Sequence, residues 1–316
     1  MFERALVVVI VLLLAGGGLG LGLGLLGSFA WWLDLFAHFR IQCAGALGLA
    51  LVLAGLTRRG SLAATAGLLL LADLALLVPY AIPEARPSAG TPLRLAHLNV
   101  LSSNRQHASV VAWIAGTGAD LVLLQEIDPR WATVLAAVPG YRVIDVLARP
   151  DNFGLAALLR EGSAIEVLAH GRPVFSGLPA LELKLRHEGR ELSLLSLHTL
   201  PPVSREYAAT RDAQLQAAAG WSAMQAEAGR APVLLGDLNA TPFSASIRPL
   251  RASGLRDSLA AGGLLASGSW PDLPMPLRIA IDHCWHDPGL VTVARTVGPA
   301  LGSDHRPLEV SLAWAP

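Results

Sequence analysis

The sequence predicts an α/β protein in which two β-sheets pack together with helices outside them, preceded by three transmembrane helices. Three observations support this prediction. Residues 1–82 are almost entirely apolar, residues 83–92 are rich in proline, and short apolar runs separated by turn residues recur in residues 93–316. We therefore interpret the chain as a membrane region (1–82), a linker (83–92) and a globular domain (93–316).

The composition supports the membrane region. The 316 residues are 53% hydrophobic and 15% charged, with a mean hydropathy of +0.49, which is too apolar for an ordinary soluble protein. The excess lies in residues 5–29, 41–56 and 61–81, and the second stretch reaches spanning length by including residues 36–39. A cleaved signal peptide is the alternative for the first stretch, since Arg4 precedes it; the two later stretches favour transmembrane helices.

The basic residues predict the orientation of these helices. Arg4 precedes the first helix, and Arg58 and Arg59 lie between the second and third, so both positions are expected on the cytoplasmic side. Three helices then place the globular domain on the outer side. In a bacterium this is a multi-pass protein of the cell inner membrane with a periplasmic domain. The loop between the first two helices carries an aromatic belt expected at that outer surface, namely Trp31, Trp32 and Phe36.

Short apolar runs predict the strands of the globular domain. They are residues 93–98, 121–124, 141–146, 155–159, 181–185, 192–197, 233–235, 279–281 and 308–312. The fifth and sixth runs form a predicted hairpin. Residues 110–116 and 205–228 are the clearest helices, and Gly229 suits the end of the second, on which Arg211 is expected to face solvent. Because strands outnumber helices, two packed sheets with outer helices are the expected architecture.

Six short polar segments lie at the ends of otherwise hydrophobic runs. They are H-L-N at 97–99, Q-E at 125–126, H-T at 198–199, G-D-L-N at 236–239, I-D-H at 281–283 and G-S-D-H-R-P-L at 302–308. Carboxylates, amides and imidazoles are costly to bury unless they are paired or bind a cation. A set of six therefore predicts a functional site.

The donor atoms of these segments favour a hard cation. The candidate groups are three carboxylates (Glu126, Asp237 and Asp304), two carboxamides (Asn99 and Asn239) and two imidazoles (His198 and His305). Oxygen ligands of this kind select Mg²⁺ or Mn²⁺. Zinc would require more closely spaced His or Cys, and the sequence contains no H-x-x-x-H or C-x-x-C pattern. Magnesium beside His and Asn suits an anionic phosphoryl substrate.

The motifs L-N-V, L-Q-E, L-H-T, G-D-L-N-A-T-P, I-D-H and S-D-H-R-P-L, in this order, resemble those of the endonuclease/exonuclease/phosphatase superfamily. The resemblance covers about residues 93–312, and the N-terminal spans are similar to those of membrane-attached bacterial members. It implies a four-layered α/β/β/α sandwich with the site at one edge of the paired sheets. It also implies a metal-dependent hydrolase that acts on phosphoester bonds, with Mg²⁺ as cofactor and Mn²⁺ as a substitute.

The resemblance further implies roles for individual residues at the metal and at the scissile phosphate. Glu126 matches the principal metal ligand, Asn99 lies beside it, and Asp304 matches a carboxylate close to the metal. His305 matches the imidazole that contacts the scissile phosphate, and Asp282 resembles the buried acid that orients it. Fixing the tautomer of the imidazole is the physical reason for such an Asp–His pair.

The remaining site residues are assigned by the same resemblance. Asp237 corresponds to the residue that activates the attacking water, and Asn239 to a donor for a phosphate oxygen. His198 is a candidate leaving-group acid or phosphate ligand, and Asn152 is a candidate for binding substrate. Whether His198 or His305 donates the proton stays open.

Charge and topology bear on the substrate. From Thr91 onward the chain has 19 basic and 20 acidic residues, and no run of Arg or Lys exceeds two. A nucleic-acid binder usually displays a basic stripe. We therefore expect a phosphoester at or near the membrane, such as a lipid headgroup or a small phosphodiester, with the bilayer as the other partner; monoester and diester both remain possible. A nuclease is the alternative. A non-catalytic, membrane-anchored binding module is less favoured because Asp237 and His305 are retained.

Overall fold

The computed structural model describes residues 2–81 and 88–316. The N-terminal region forms helices α1 (Phe2–Leu25), α2 (Trp31–Ala37), α3 (Arg40–Leu56) and α4 (Gly60–Ala81). Helices α1 and α4 are each long and apolar enough to cross a membrane, while α2 and α3 meet at 59° and could together form a third, bent span. Residues 82–87, which include much of the predicted linker, lie outside the described residues.

A buried ion pair fixes three of these helices to one another. Arg40, at the start of α3, lies 3.3 Å from Asp73 Oδ1 in α4 and donates a second hydrogen bond to the carbonyl oxygen of Leu21 in α1. Both charged side chains are almost completely buried. Charges in such apolar surroundings are tolerated when they pair with each other and with backbone oxygens. Because Arg40 is the first residue of α3, the pair also fixes the position of the junction between α2 and α3.

The rest of the chain forms two six-stranded sheets, a two-stranded ribbon and further helices. The strands are β1 (Ala89–Asn99), β2 (Leu121–Gln125), β3 (Tyr141–Leu147), β4 (Leu155–Arg160), β5 (Glu166–Gly171), β6 (Val174–Phe175), β7 (Leu178–Pro179), β8 (Leu181–His187), β9 (Arg190–Ser196), β10 (Ala231–Asp237), β11 (Arg256–Asp257), β12 (Asp282–His286), β13 (Leu290–Val297) and β14 (Leu308–Trp314). The helices are α5 (His107–Thr117), α6 (Pro129–Leu135), α7 (Arg205–Glu227), α8 (Arg248–Ala252) and α9 (Leu259–Gly262). The sheet orders are β13-β14-β1-β2-β4-β3 and β11-β12-β10-β9-β8-β5.

The two sheets face each other across a leucine-rich core. In β8, for example, Leu181, Leu183 and Leu185 are buried while the residues between them are partly exposed, as the period of two in a strand requires. Helices α5 and α6 cover the outer face of the first sheet and α7 covers that of the second. The four-layered α/β/β/α sandwich predicted from the sequence is thereby confirmed.

Most predicted strands are present, with one clear error. The run 279–281 is not a strand: Ile279 forms only an isolated bridge to Trp270, and the strand of this region begins at Asp282. Strands β5 and β13 were not predicted. The hairpin is confirmed as the antiparallel pair of β8 and β9.

Helix α2 is fastened to the globular domain through a buried carboxylate. Asp34 Oδ1 accepts a hydrogen bond from the backbone N–H of Ala245 (2.7 Å), and Oδ2 accepts from Ser244 Oγ (2.5 Å) and Arg211 Nη2 (3.3 Å). Arg211 is only 1% exposed, so the expectation that it faces solvent is wrong. Its guanidinium also donates to the carbonyl oxygen of Asn239, next to the predicted site.

Replacing Asp34 with Ala is expected to loosen this attachment. The change leaves the buried guanidinium of Arg211 with fewer acceptors, and an unsatisfied buried group costs about 1–3 kcal/mol. We expect the thermal unfolding midpoint of the full chain in detergent to fall by several degrees. The control is Asp212→Ala, which removes an exposed partner of the same guanidinium and should cost less than about 0.5 kcal/mol. Equal midpoints for the two variants would contradict the assignment.

Candidate active site

Sheet topology brings the predicted polar segments to one edge. Strands β1 and β2 are parallel and pair Asn99 with Gln125 at their carboxyl ends. Strands β9 and β10 are also parallel, so His198, just beyond β9, lies near Asp237 at the end of β10. Antiparallel β12 begins at this same edge and pairs Asp282 with Asp237. Because each strand ends or begins here, their polar side chains converge while their apolar residues fill the core.

Four non-glycine residues around this edge have a positive φ. They are Leu101 (58°), Glu126 (62°), Asn152 (64°) and Asn239 (46°). Asn tolerates this region, whereas a residue such as Glu or Leu rarely adopts it. Strained conformations of this kind persist where the surrounding structure enforces them, and they cluster at functional sites.

A glutamine and a glycine hold the two sheets together directly beneath the site. Gln125, from the first sheet, accepts a hydrogen bond from the backbone N–H of Asp237 (3.1 Å) and donates to Ser196 Oγ (3.4 Å), both in the second sheet. A Cβ atom at Gly236 would overlap the carbonyl oxygen of Leu197. The G-D-L-N motif therefore needs its glycine so that the backbone before Asp237 can approach its neighbours closely.

The buried carboxylate of Asp282 contacts two imidazoles, and one of them also contacts Asp237 at the end of β10. Asp282 Oδ2 lies 2.9 Å from His305 Nδ1, and Asp282 Oδ1 lies 2.9 Å from His97 Nε2. The far nitrogen of His305, Nε2, is 3.5 Å from Asp237 Oδ2. The structure thus brings Asp282 and His305 together as predicted. The second imidazole, His97, was not assigned a role from the sequence, although it stands in the H-L-N segment.

This arrangement determines how the buried groups ionise. Burial alone would raise the pKa of Asp282, but the charge and hydrogen bond of His305, with the hydrogen bond from His97, hold the pKa well below its usual range. Burial opposes protonation of His305, yet the carboxylates of Asp282 and Asp237 outweigh it and raise the pKa of His305 to about 10. Burial, reinforced by the charge of Asp282, raises the pKa of Asp237. His305 is therefore protonated at neutral pH and able to donate a hydrogen bond to an anion.

The predicted metal ligands Glu126 and Asn99 lie in contact beside Asp237. Asn99 Nδ2 donates to Glu126 Oε1 (2.9 Å) and to Asp237 Oδ2 (3.3 Å), and the backbone N–H of Ser102 donates to Glu126 Oε2 (3.1 Å). Within residues 2–81 and 88–316, no Arg or Lys forms an ion pair with either carboxylate. Asn99 Oδ1 accepts a hydrogen bond from the backbone N–H of Leu101 (3.1 Å), so it is the carboxylate oxygens of Glu126 that are suited to a divalent hard cation.

A second group of potential ligands is less suitable for a metal. Asp237, Asp282 and His305 offer ligand atoms that all lie within 4.8 Å of one another. However, both oxygens of Asp282 already accept hydrogen bonds from imidazoles, and Nδ1 of His305 is one of those donors. Asp237 is the member that also contacts Asn99, and so it is the one placed to act beside a cation at Glu126.

His198 and Asn239 border the carboxylate of Asp237 on its other side. His198 Nε2 is 3.6 Å from Asp237 Oδ2. The backbone N–H of Asn239 donates to Asp237 Oδ1 (2.9 Å), while its side-chain amide donates to the carbonyl oxygen of Thr199 (2.9 Å). Both predicted residues are therefore at the site, with Asp237 between the two imidazoles.

Asn152 and Asp304 line the same cleft farther from Asp237. Asn152 Oδ1 accepts a hydrogen bond from Ser102 Oγ (2.7 Å), and Asp304 Oδ2 accepts one from Trp270 Nε1 (2.9 Å). The ring of Phe153 lies 5.0 Å from that of His198. The sequence did not indicate the contact of Trp270 with Asp304 or that of Phe153 with His198, because each joins segments far apart in the chain.

Comparisons with known proteins agree with this geometry. The model of the Endonuclease/Exonuclease/phosphatase family matches residues 96–305. None of the curated proteins compared with the sequence matches it. Among solved structures, the human Nocturnin catalytic domain with bound sulfate is similar with a TM-score of 0.57 and 16% identity, covering 72% of this chain and 97% of that one.

Two further structures show the same fold. The mannosyl-6-phosphatase of Bacteroides thetaiotaomicron has a TM-score of 0.57 and 17% identity, covering 70% of this chain and 100% of its own. The D. rerio TDP2 complexed with single-strand DNA product has a TM-score of 0.57 and 15% identity, covering 71% of this chain and 99% of its own. The family match over residues 96–305 is thus supported by both the sheet arrangement and the clustered polar segments, and the chain belongs to the Endonuclease/Exonuclease/phosphatase family of metal-dependent hydrolases that act on phosphoester bonds.

Proposed function

We propose that the protein is a Mg²⁺-dependent phosphoesterase that hydrolyses a phosphodiester or phosphomonoester at or near the outer face of the membrane. The observation that carries this proposal is the position of the Asp237 carboxylate. It lies within 3.6 Å of both His198 and His305 and in contact with the Asn99 amide that also binds Glu126. A base, two imidazoles and a cation-binding carboxylate therefore meet at one point of the cleft.

The metal site in this proposal consists of Glu126 and Asn99, with Asp304 on the facing wall of the cleft. Mg²⁺, when bound, supplies positive charge that neutralises the phosphoryl oxygens and favours attack by water. The oxygen-only donor set is the kind that Mg²⁺ accepts, and Mn²⁺ can substitute.

The proton transfers are assigned to the chain's own side chains. Asp237, whose pKa is raised by burial, is placed to orient the attacking water and accept its proton. His305, held by Asp282, donates a hydrogen bond to a phosphoryl oxygen. Asn239 supplies a further donor, and either His198 or His305 protonates the leaving group.

The location at the outer membrane face is supported by the helices at the N-terminus. Two or three apolar helices of sufficient length precede the domain. If three cross the bilayer, the positions of Arg4, Arg58 and Arg59 place the domain outside the cytoplasm. In a bacterium this corresponds to a multi-pass inner-membrane protein with its active site in the periplasm.

A panel of substrates tests this proposal. The full chain in detergent with Mg²⁺ would be assayed on bis-p-nitrophenyl phosphate, p-nitrophenyl phosphate, phospholipid vesicles, RNA and supercoiled DNA. Because the domain carries a net charge near −1 and a protein that binds nucleic acid usually displays a basic stripe, we expect turnover of small esters or lipid without efficient DNA nicking at physiological salt. Robust DNA cleavage at that salt, with no turnover of lipids or small esters, would establish a nuclease and reject the proposal.

A further inference from the structure

The cleft that contains the site has a polar half and an apolar half. It encloses about 840 Å³. Its polar residues are those of the site, including Glu126, Asp237 and His305. Most of its apolar lining comes from two segments, which we call the apolar half: the membrane-region residues Trp31, Leu35 and Phe39 and the domain residues Leu200, Pro201, Pro202, Val203 and Tyr207. Phe153, Trp270, Ile279 and Ile281 add further apolar surface. One wall of the active-site cleft is therefore built by the membrane region.

That wall is held in place by specific contacts. Asp34, in the middle of α2, is buried and bonded to three groups of the domain. At the end of the helix, His38 Nδ1 accepts a hydrogen bond from the backbone N–H of Thr241 (3.1 Å). Thr241 lies two residues after Asn239, so α2 is joined to the loop that follows Asp237 and carries Asn239. The wall and the catalytic groups thus form one unit.

Exposed apolar side chains border this cleft on the side of the membrane helices. Phe39 is 47% exposed, and Val203, from the other wall, is 71% exposed. A domain loop beside α3 also exposes apolar side chains. Gln42 of α3 donates a hydrogen bond to the carbonyl oxygen of Pro276 in this loop (2.8 Å), and the neighbouring Met275 and Leu277 are exposed. Exposed apolar patches next to membrane-spanning helices are expected to lie in the bilayer interface. The apolar half of the cleft therefore opens toward lipid.

We propose that the substrate is a membrane lipid whose phosphoester occupies the polar half of the cleft while its hydrocarbon chain lies between α2 and the segment 200–207. This inference rests on the proposed function and names its substrate class. Trp31, Leu35 and Phe39 are then substrate-binding residues. A water-soluble diester reaches the same catalytic groups but leaves this apolar surface uncovered. A lipid covers it, and burying that surface strengthens binding.

A series of p-nitrophenyl alkyl phosphodiesters tests the inference on the full chain. Methyl, butyl and octyl esters would be assayed below their critical micelle concentrations, in detergent with Mg²⁺. Each buried methylene improves binding by up to about fourfold, so we expect kcat/KM for the octyl ester to exceed that for the methyl ester at least tenfold. Hydrolysis of all three at equal kcat/KM would overturn the lipid assignment while leaving the phosphoesterase function in place. Hydrolysis of none of these diesters, and of no p-nitrophenyl phosphate under the same conditions, would overturn the function itself.

Variants in α2 and at Phe39, which follows the helix, localise the effect. Leu35→Ala and Phe39→Ala are expected to lower the octyl-to-methyl ratio of kcat/KM at least threefold. Trp32→Ala is the matched control, because this residue lies in the same helix but does not line the cleft, and it should leave the ratio unchanged. An unchanged ratio in both cleft variants would overturn the assignment of this wall.

Two natural substrate classes complete the test. Phosphatidylcholine vesicles labelled in the headgroup and a single-stranded oligonucleotide would be compared at physiological salt. Release of the labelled headgroup at a higher kcat/KM than cleavage of the oligonucleotide is the expected result. Faster cleavage of the oligonucleotide would mean that the apolar half binds nucleobases, and it would overturn the inference.

Discussion

Asp237→Asn is expected to reduce phosphoester turnover by about 10²–10⁴-fold, because an amide cannot accept the proton of the attacking water. The substitution keeps the size of the side chain and its hydrogen bond from the backbone N–H of Asn239. We therefore expect kcat to fall while KM changes little, with kcat/KM for bis-p-nitrophenyl phosphate as the measurement. A variant that retains more than a tenth of wild-type kcat would remove Asp237 from the reaction.

His305→Ala is expected to cause a loss of similar size, by a different route. It removes the imidazole held between Asp282 and Asp237 and leaves two buried carboxylates without their positive neighbour. His170→Ala is the matched control, since its imidazole also pairs with a carboxylate, Asp145, but lies outside the cleft. If His305→Ala and His170→Ala lost comparable phosphoester turnover, the substitution of His305 would act through folding rather than through catalysis. The thermal unfolding midpoint of each variant separates the two explanations.

Removal of divalent metal is the third change with a large expected effect. With EDTA in excess we expect activity to fall to background and to return when Mg²⁺ or Mn²⁺ is restored, because the proposed mechanism depends on a divalent ion. Glu126→Ala should raise the Mg²⁺ concentration for half-maximal activity at least tenfold. Undiminished turnover with chelator present would overturn the metal site.

Metal binding can also be followed without catalysis. A ligand that binds only the folded state stabilises it by about 2.7 kcal/mol at a concentration 100 times its Kd. The thermal unfolding midpoint of the full chain should therefore rise with Mg²⁺ or Mn²⁺, and this rise should be much smaller in Glu126→Ala. Equal shifts in the wild type and the variant would place the ion elsewhere.

The sequence was most informative where polar residues interrupt apolar strands. Asn99, Glu126, His198 and Asp237 follow strands that are parallel in pairs, and so the ends of those strands meet at one edge. A short apolar strand followed by a carboxylate or amide is visible in a single sequence. That the ends of these four strands meet at one edge follows only once the sheet topology is known. The resemblance to a known family indicated that these motifs, in this order, belong to one site.

The error at residues 279–281 shows a limit of apolar patterns. Ile279 and Ile281 are buried, yet they lie outside the strand, whereas β12 begins with Asp282 and His283. Both polar side chains are buried because each has a partner, His305 and Asp257 respectively. A strand whose polar residues are paired in this way shows neither an apolar run nor a clear alternation.

The burial of Arg211 and the contact of His97 with Asp282 were not predicted from the sequence, for a related reason. The partner of Arg211 is Asp34, which lies 177 residues earlier in the chain, and that of His97 is Asp282, which lies 185 residues later. When only its sequence neighbours are considered, Arg211 is expected on the solvent-exposed face of α7, because it stands next to the exposed Asp212. Burial of a charge depends on which partner the fold supplies, and local sequence does not contain that information.

The most direct test of the account is the initial rate at which the purified full chain releases p-nitrophenolate from bis-p-nitrophenyl phosphate with Mg²⁺. We predict hydrolysis that EDTA abolishes, that added Mg²⁺ restores, and that falls by at least a hundredfold in Asp237→Asn. Hydrolysis that persists in EDTA or in this variant would contradict the assignment of the cleft around Asp237 and His305 as the catalytic centre.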